Sequence, residues 1–167
     1  MIRLLVLDVD GVLTDGGLYY GPAGEALKRF NVRDGLGIRM LQTAGVTVAI
    51  ISGRGSEALA ARAADLDIAE LHMAVGEKGE VLAGIAHRLG LAREEIAAMG
   101  DDLPDLPLFA AAGLRIAPAD AEPELIAAAD HVTTRSGGHG AVRDAAHHIL
   151  ALNGATQPPA ALARTHG

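Results

Sequence analysis

Leu4-Leu5-Val6-Leu7-Asp8-Val9-Asp10-Gly11-Val12-Leu13-Thr14 is the stretch on which the reading of this chain turns. The apolar run from Leu4 to Val9 reads as a buried strand, and it ends in two carboxylates two residues apart. Successive side chains of a strand alternate between faces, so the spacing predicts that Asp8 and Asp10 point the same way. Like charges that close repel unless a cation or a proton sits with them. One carboxylate can then serve as nucleophile or metal ligand and the other as acid and base. Gly11 lets the chain turn sharply and bring its N–H groups near a ligand. The plain alternative is a surface Asp-x-Asp-Gly turn, and the rest of the chain decides between the two.

Working outward, Val46–Ile51 is a second apolar run, interrupted only by Thr47, as expected of parallel strands covered on both faces. Weaker strands are predicted near Glu70–Met73, Ile96–Met99, Leu114–Ile116 and His131–Val132. Helical patterns lie between them, at about Leu36–Ala44, Ser56–Leu66, Lys78–Leu89, Pro104–Ala111, Pro123–Ala128 and Ala141–Leu152. Gly45, Gly90 and Gly113 sit where helices should stop. This rhythm predicts an α/β fold, a Rossmann-like, mainly parallel sheet flanked by helices. The segment 16–31 breaks the rhythm. Its Gly21-Pro22-Ala23-Gly24 centre between two strand-like arms reads as a β-hairpin inserted after the first strand. Residues 1–153 form a single domain in this reading, and 154–167, with Pro158-Pro159, is expected to be a mobile tail.

Composition narrows the function. The 167 residues suffice for one domain with a real core. A net charge of −7 argues against a nucleic-acid partner, and the few aromatics offer no stacking platform for single strands. The chain has no cysteine, which excludes disulfides, thiolate catalysis and cysteine-bound zinc. Its first residues do not form a signal-peptide pattern, and no apolar stretch reaches the ~20 residues of a membrane span. A cytoplasmic protein with no membrane partner is expected.

In open parallel sheets, ligands bind at the carboxyl ends of the strands. Four polar signals are predicted at such ends: Asp8/Asp10; Ser52-Gly53-Arg54; Lys78 at the start of a helix; and Gly100-Asp101-Asp102-Leu103-Pro104-Asp105. Each has a plain reading of its own, as a helix cap, a solvated lysine or a capped first turn. Together they suit phosphoryl transfer. A carboxylate that attacks a phosphoryl group meets repulsion of about 4 kcal/mol per unit pair at ~4 Å and an effective dielectric near ~20. An ammonium and a divalent cation offset it. Asp8, Asp101 and a backbone carbonyl make an all-oxygen set that suits Mg²⁺. Ser52 and the N–H of Gly53 can hold phosphate oxygens. Asp8 would attack, forming an aspartyl-phosphate, and Asp10 would protonate the leaving alkoxide and then deprotonate the attacking water.

The order and spacing of Asp8-Val9-Asp10-Gly11-Val12-Leu13-Thr14, Ser52, Lys78 and Gly100-Asp101-Asp102 resemble the haloacid dehalogenase superfamily of phosphatases. The resemblance implies Asp8 as nucleophile and Asp10 as acid/base. It implies Mg²⁺ on the Asp8 side chain, the Asp10 carbonyl and Asp101, with Asp102 and Asp105 supporting the loop and Lys78. A narrower likeness covers about Leu4 to Leu152. The strings from Phe30 to Arg39 and from Gly137 to Asp144 are similar to those of 3-deoxy-D-manno-octulosonate 8-phosphate phosphatases, small capless members of the superfamily. That likeness implies a homotetramer in which hairpins meet and neighbours close each active site. It also implies release of phosphate from a sugar acid used in lipopolysaccharide synthesis.

Substrate choice rests on two arginines. Arg54 and Arg62 are eight apart, about two helical turns, so they are predicted to share a face and bind the substrate carboxylate. Relatives acting on nine-carbon, sialic-type ulosonate 9-phosphates often carry Glu at the position of Arg54, so the arginine favours the eight-carbon substrate. The alternatives are a nine-carbon ulosonate phosphatase and a non-catalytic regulatory subunit of the same fold. A phospho-accepting receiver domain would place its phosphorylated Asp on a middle strand, unlike Asp8. His139 stands where the family usually has Arg, which makes an anion contact from that position pH-dependent or absent. Gly76-Glu77 and Gly79 flank Lys78 where the family has other neighbours. His147 and His148 are read as surface or core residues rather than ligands.

Overall fold

The computed structural model describes residues 1–155. The tail expected from residue 154 lies, beyond residue 155, outside the described residues. Strand β1 spans Leu4–Leu7, and the hairpin follows as β2, Tyr19–Gly21, and β3, Gly24–Leu27. Then come α1 (Val32–Thr43), β4 (Thr47–Ile51), α2 (Glu57–Asp65), β5 (Glu70–His72), α3 (Lys78–Leu89), β6 (Ile96–Met99), α4 (Leu106–Ala111), β7 (Leu114–Ala117), α5 (Pro123–Ala128), β8 (His131–Val132) and α6 (Ala141–Leu152). The main sheet has the order β5-β4-β1-β6-β7-β8, and every neighbouring pair in it is parallel. The antiparallel hairpin stands apart as a sheet of its own.

The central strands β1 and β6 are wholly apolar, and β4 is apolar after Thr47, because both faces are covered. Leu5, Leu7, Val48, Ile50, Ala97 and Met99 pack with α1, α2 and α6, and the alternating Leu4, Val6, Ala49, Ile51, Ile96 and Ala98 pack with α3, α4 and α5. Each fully buried leucine is worth about 1.5–3 kcal/mol over its exposed state. Chain order reverses at β1, which lies between β4 and β6, so a crevice opens at its carboxyl end. Asp8 continues the parity of Leu4 and Val6 and so faces the α3 side.

Several boundaries differ from the sequence reading, and two of the differences have a visible cause. β1 ends at Leu7 rather than Val9, because the chain turns: Val12 N and Thr14 N both donate to Val9 O, at 3.2 and 3.0 Å. Val9, Val12 and Leu13 are buried nonetheless, as the underside of that turn. The common direction predicted for Asp8 and Asp10 therefore has no strand behind it. Helix α1 starts at Val32, earlier than its apolar pattern, because Asn31 caps it by accepting from Arg33 N at 2.9 Å.

Candidate active site

Asp8 leaves β1 with its N–H donating to Met99 O at 3.0 Å, and its side chain is buried. Lys78 opens α3 and reaches across to it. The Lys78 Nζ donates to Asp8 Oδ1 and to Asp105 Oδ1, each at 2.6 Å. Asp105 closes the arrangement through its other oxygen, which accepts from Asp101 N at 3.0 Å and Asp102 N at 3.5 Å. One buried carboxylate thus binds both the loop after β6 and the lysine. The Asp102 carboxylate accepts from Leu103 N at 2.6 Å and its carbonyl from Asp105 N at 2.8 Å, so it supports the turn rather than the lysine.

Asp101 completes a cluster: oxygens of Asp8, Asp101 and Asp105 lie within 4.8 Å of one another. Three carboxylates face one ammonium. Burial, then the charges of Asp8 and Asp105, push the Asp101 carboxyl up to about 8. Burial, then Asp105, push Asp8 up as well, against the pull of Lys78. For Lys78, burial disfavours the ammonium, but Asp8 and Asp105 outweigh it and raise its pKa. A divalent cation would supply the missing charge, and the all-oxygen donors fit Mg²⁺. The approach of chain to carboxylate requires Gly11: at φ +94° its main chain passes so near Asp101 that a Cβ would fall 1.9 Å from Oδ2.

On the other side of β1, Ser52 is buried at the end of β4, and its Oγ accepts from Arg54 N at 3.2 Å. Gly53 follows it on the exposed surface. Arg54 and Arg62 do not share a helix face. Helix α2 begins only after Ser56, whose Oγ accepts from Leu59 N at 3.1 Å, so Arg54 lies in the preceding loop. Arg54 Nη2 donates to Glu25 Oε2 on the hairpin at 2.9 Å, whereas the Arg62 guanidinium sits 5.9 Å above the Phe30 ring.

Asp10 turns toward the hairpin rather than toward the cluster. Its Oδ1 accepts from Lys28 Nζ at 2.6 Å. Sequence reasoning did not single out Lys28 or Glu25, yet one signal was present: Lys28 and Lys78 are the only lysines, beside twelve arginines. The two strings of the narrower likeness meet in space. Asn31 Nδ2 donates to Gly138 O at 3.2 Å, and Asp34 accepts from Gly140 N at 3.2 Å and Arg143 N at 3.0 Å. Gly137 packs under the Asp10-Gly11 turn, where a Cβ would lie 1.8 Å from Gly11 O. His139 is exposed, and its Nδ1 lies 2.9 Å from Gly137 O within its own loop. His148 stacks on His131 with ring centroids 3.8 Å apart, and His147 pairs with Arg143 at 2.7 Å.

A family model for haloacid dehalogenase-like hydrolases matches residues 65–144. The chain is 47% identical over 153 residues to the 3-deoxy-D-manno-octulosonate 8-phosphate phosphatase of Escherichia coli, covering 92% of this chain and 81% of that one. Its fold matches the cobalt-bound phosphatase of that name from Haemophilus influenzae with a TM-score of 0.89 and 46% identity, over 92% of this chain and 90% of the other. The Moraxella catarrhalis phosphatase, solved with a magnesium ion, a phosphate ion and a KDO molecule, matches with a TM-score of 0.86 and 39% identity, over 90% and 86%. The chain belongs to the haloacid dehalogenase-like hydrolases, in the family of the 3-deoxy-D-manno-octulosonate 8-phosphate phosphatases.

Proposed function

We propose that this protein hydrolyses 3-deoxy-D-manno-octulosonate 8-phosphate to the free sugar acid and phosphate, a cytoplasmic step of lipopolysaccharide precursor synthesis. The observation that carries the reading is the buried Asp8–Lys78–Asp105 bridge beside Asp101, at the carboxyl end of the central strand. An oxygen of Asp8 attacks phosphorus, and the bond from phosphorus to the sugar oxygen breaks. Asp10 gives its proton to the leaving alkoxide. Water then attacks the aspartyl-phosphate, Asp10 takes the water's proton, and Asp8 is regenerated as phosphate leaves. Lys78, Ser52 Oγ and the Gly53 N–H bind the phosphoryl oxygens. The carboxylates of Asp8 and Asp101 and the Asp10 carbonyl would hold Mg²⁺, which when bound would supply the positive charge that lets an anionic nucleophile meet an anionic phosphoryl group.

Arg54 receives the carboxylate of the sugar acid; its side chain is 44% exposed and so within reach of a solute. Arg62, held over Phe30, has no such support. The exposed apolar side chains of the hairpin, Leu18, Tyr19, Tyr20 and Leu27, support assembly of copies through it, as a homotetramer. The test is phosphate release from the eight-carbon substrate beside nine-carbon ulosonate 9-phosphates. The eight-carbon substrate should be preferred, chelator should stop turnover, and Asp8→Asn should abolish it with the fold intact. Turnover by Asp8→Asn rejects the mechanism, and preference for the nine-carbon substrate rejects the role of Arg54.

A further inference from the structure

Lys28 is buried in an unusual place for a hairpin lysine: its side chain is 3% exposed. Its Nζ lies 2.6 Å from Asp10 Oδ1 and 2.9 Å from Glu25 Oε1. The other oxygen of Glu25 accepts from Arg54 at 2.9 Å. Arg54, Glu25, Lys28 and Asp10 therefore form an unbroken chain of ion pairs, from the loop after β4 through the hairpin to the turn after β1. Its middle is closed and its Arg54 end is open. Glu25 Oε1 is sealed from solvent against Lys28, while Arg54 is open to it. A cavity of about 240 Å³ lies alongside, lined by Glu25, Lys28, Ser56 and Glu57 among others.

Composition sharpens the picture. Positive surface charge in this chain is written almost wholly as arginine, yet lysine is kept at two positions. Both bridge a pair of carboxylates, and in each pair one member belongs to the Asp8/Asp10 motif. A compact ammonium fits between two converging carboxylates, where a planar guanidinium fork needs more room.

We propose that Glu25 is the resident anion of the substrate-carboxylate position, and that Lys28 is the positioning residue that holds Glu25 and Asp10 in register with it. The proposal rests on the sugar-acid reading above. Glu25 Oε2 holds Arg54 until the carboxylate of the sugar acid takes its place. Glu25 Oε1 stays on Lys28, so the hairpin keeps its grip on Asp10 through the exchange. Charge on Arg54 is conserved, because one carboxylate replaces another. A phosphomonoester without a carboxylate leaves Glu25 on Arg54.

Calorimetry with free 3-deoxy-D-manno-octulosonate reads the exchange without turnover. Glu25→Gln should tighten binding about threefold to tenfold, and the gain should vanish in an Arg54→Met background. Kinetics with Mg²⁺ on the sugar-acid phosphate and on p-nitrophenyl phosphate reads Lys28. Lys28→Met should lower kcat on both by about tenfold to a hundredfold, with KM for the aryl ester moving far less, and Lys28→Arg should recover part of the loss. An equal effect of Glu25→Gln with and without Arg54 overturns the resident-anion role. An unchanged kcat in Lys28→Met, or KM and kcat moving together, overturns the positioning role. Wild-type protein that binds no sugar acid overturns the sugar-acid reading along with the Glu25 role, and the aryl ester still decides Lys28.

Discussion

Asp101→Asn should make the metal-free protein more stable while it abolishes turnover. Asp101 shares a space of 4.8 Å with Asp8 and Asp105, and burial and those two charges push its carboxyl from 3.8 up to about 8. The folded protein therefore keeps a proton that the unfolded chain releases near pH 4. Between about pH 4 and about pH 8 the native state binds more protons, so stability of the metal-free protein falls as pH rises through that window. At neutral pH the full shift corresponds to about 4 kcal/mol; solvent screening of a partly exposed carboxylate reduces this to about 2 kcal/mol. The neutral amide removes the penalty. The melting temperature of the variant, in chelator, should exceed wild type by about 4–8 °C near pH 7.5 and match it near pH 4.5. Differential scanning calorimetry across that range is the assay. Saturating Mg²⁺ should raise and flatten the wild-type profile and leave the variant unmoved. A wild-type, metal-free protein that grows more stable from pH 5 to pH 8, or a variant that melts lower near pH 7.5, would refute the reading of this cluster as a strained cation site.

Lys78→Met removes the ammonium from between two buried carboxylates, so it should cost about 3–5 kcal/mol of stability by denaturant titration, the cost of breaking a buried pair. Its kcat/KM should fall by a further ~10²-fold or more, corresponding to at least ~2.7 kcal/mol of transition-state stabilisation. Gly137→Ala would drive a Cβ into Gly11 O and should cost about 2–4 kcal/mol, with lost activity as the Gly11 turn shifts from Asp101. Gly84→Ala, inside α3 where a Cβ meets nothing, is the contrasting change and should stabilise by about 0.4–1 kcal/mol.

Most of the sheet was legible because its signal is local. A strand buried on both faces is apolar at nearly every position, and Val46–Ile51, with its β-branched residues, carries that mark. The same signal overshot at Val9, where apolar residues line the underside of a turn instead of a strand; hydrophobicity records burial, not backbone direction. The start of α1 was hidden for the converse reason: Val32 is 81% exposed, and the information lay in the Asn31 cap. Spacing failed for Arg54 and Arg62 because a face is shared only within one helix, and the Ser56 cap falls between them.

At the site, the groups that face one another across β1, β6 and α3 were readable because strand ends of one parallel sheet must share an edge. The hairpin's contribution was not, since nothing in a local pattern says over which strand end an inserted hairpin folds. Lys28 was nonetheless marked by composition. Where a chain writes twelve of its fourteen basic residues as arginine, a lysine is the exception that asks for a cause. Both exceptions answer with the same geometry, an ammonium buried between two carboxylates, one lysine for each aspartate of the Asp8/Asp10 motif. Asp8 gets its lysine from the first residue of α3, part of the α/β core. Asp10 gets its lysine from the inserted hairpin. On the proposed mechanism the division follows from chemistry: phosphate binding needs a rigid wall, whereas Asp10, as the group that would exchange protons with the leaving group and water, sits where the inserted hairpin can reach it.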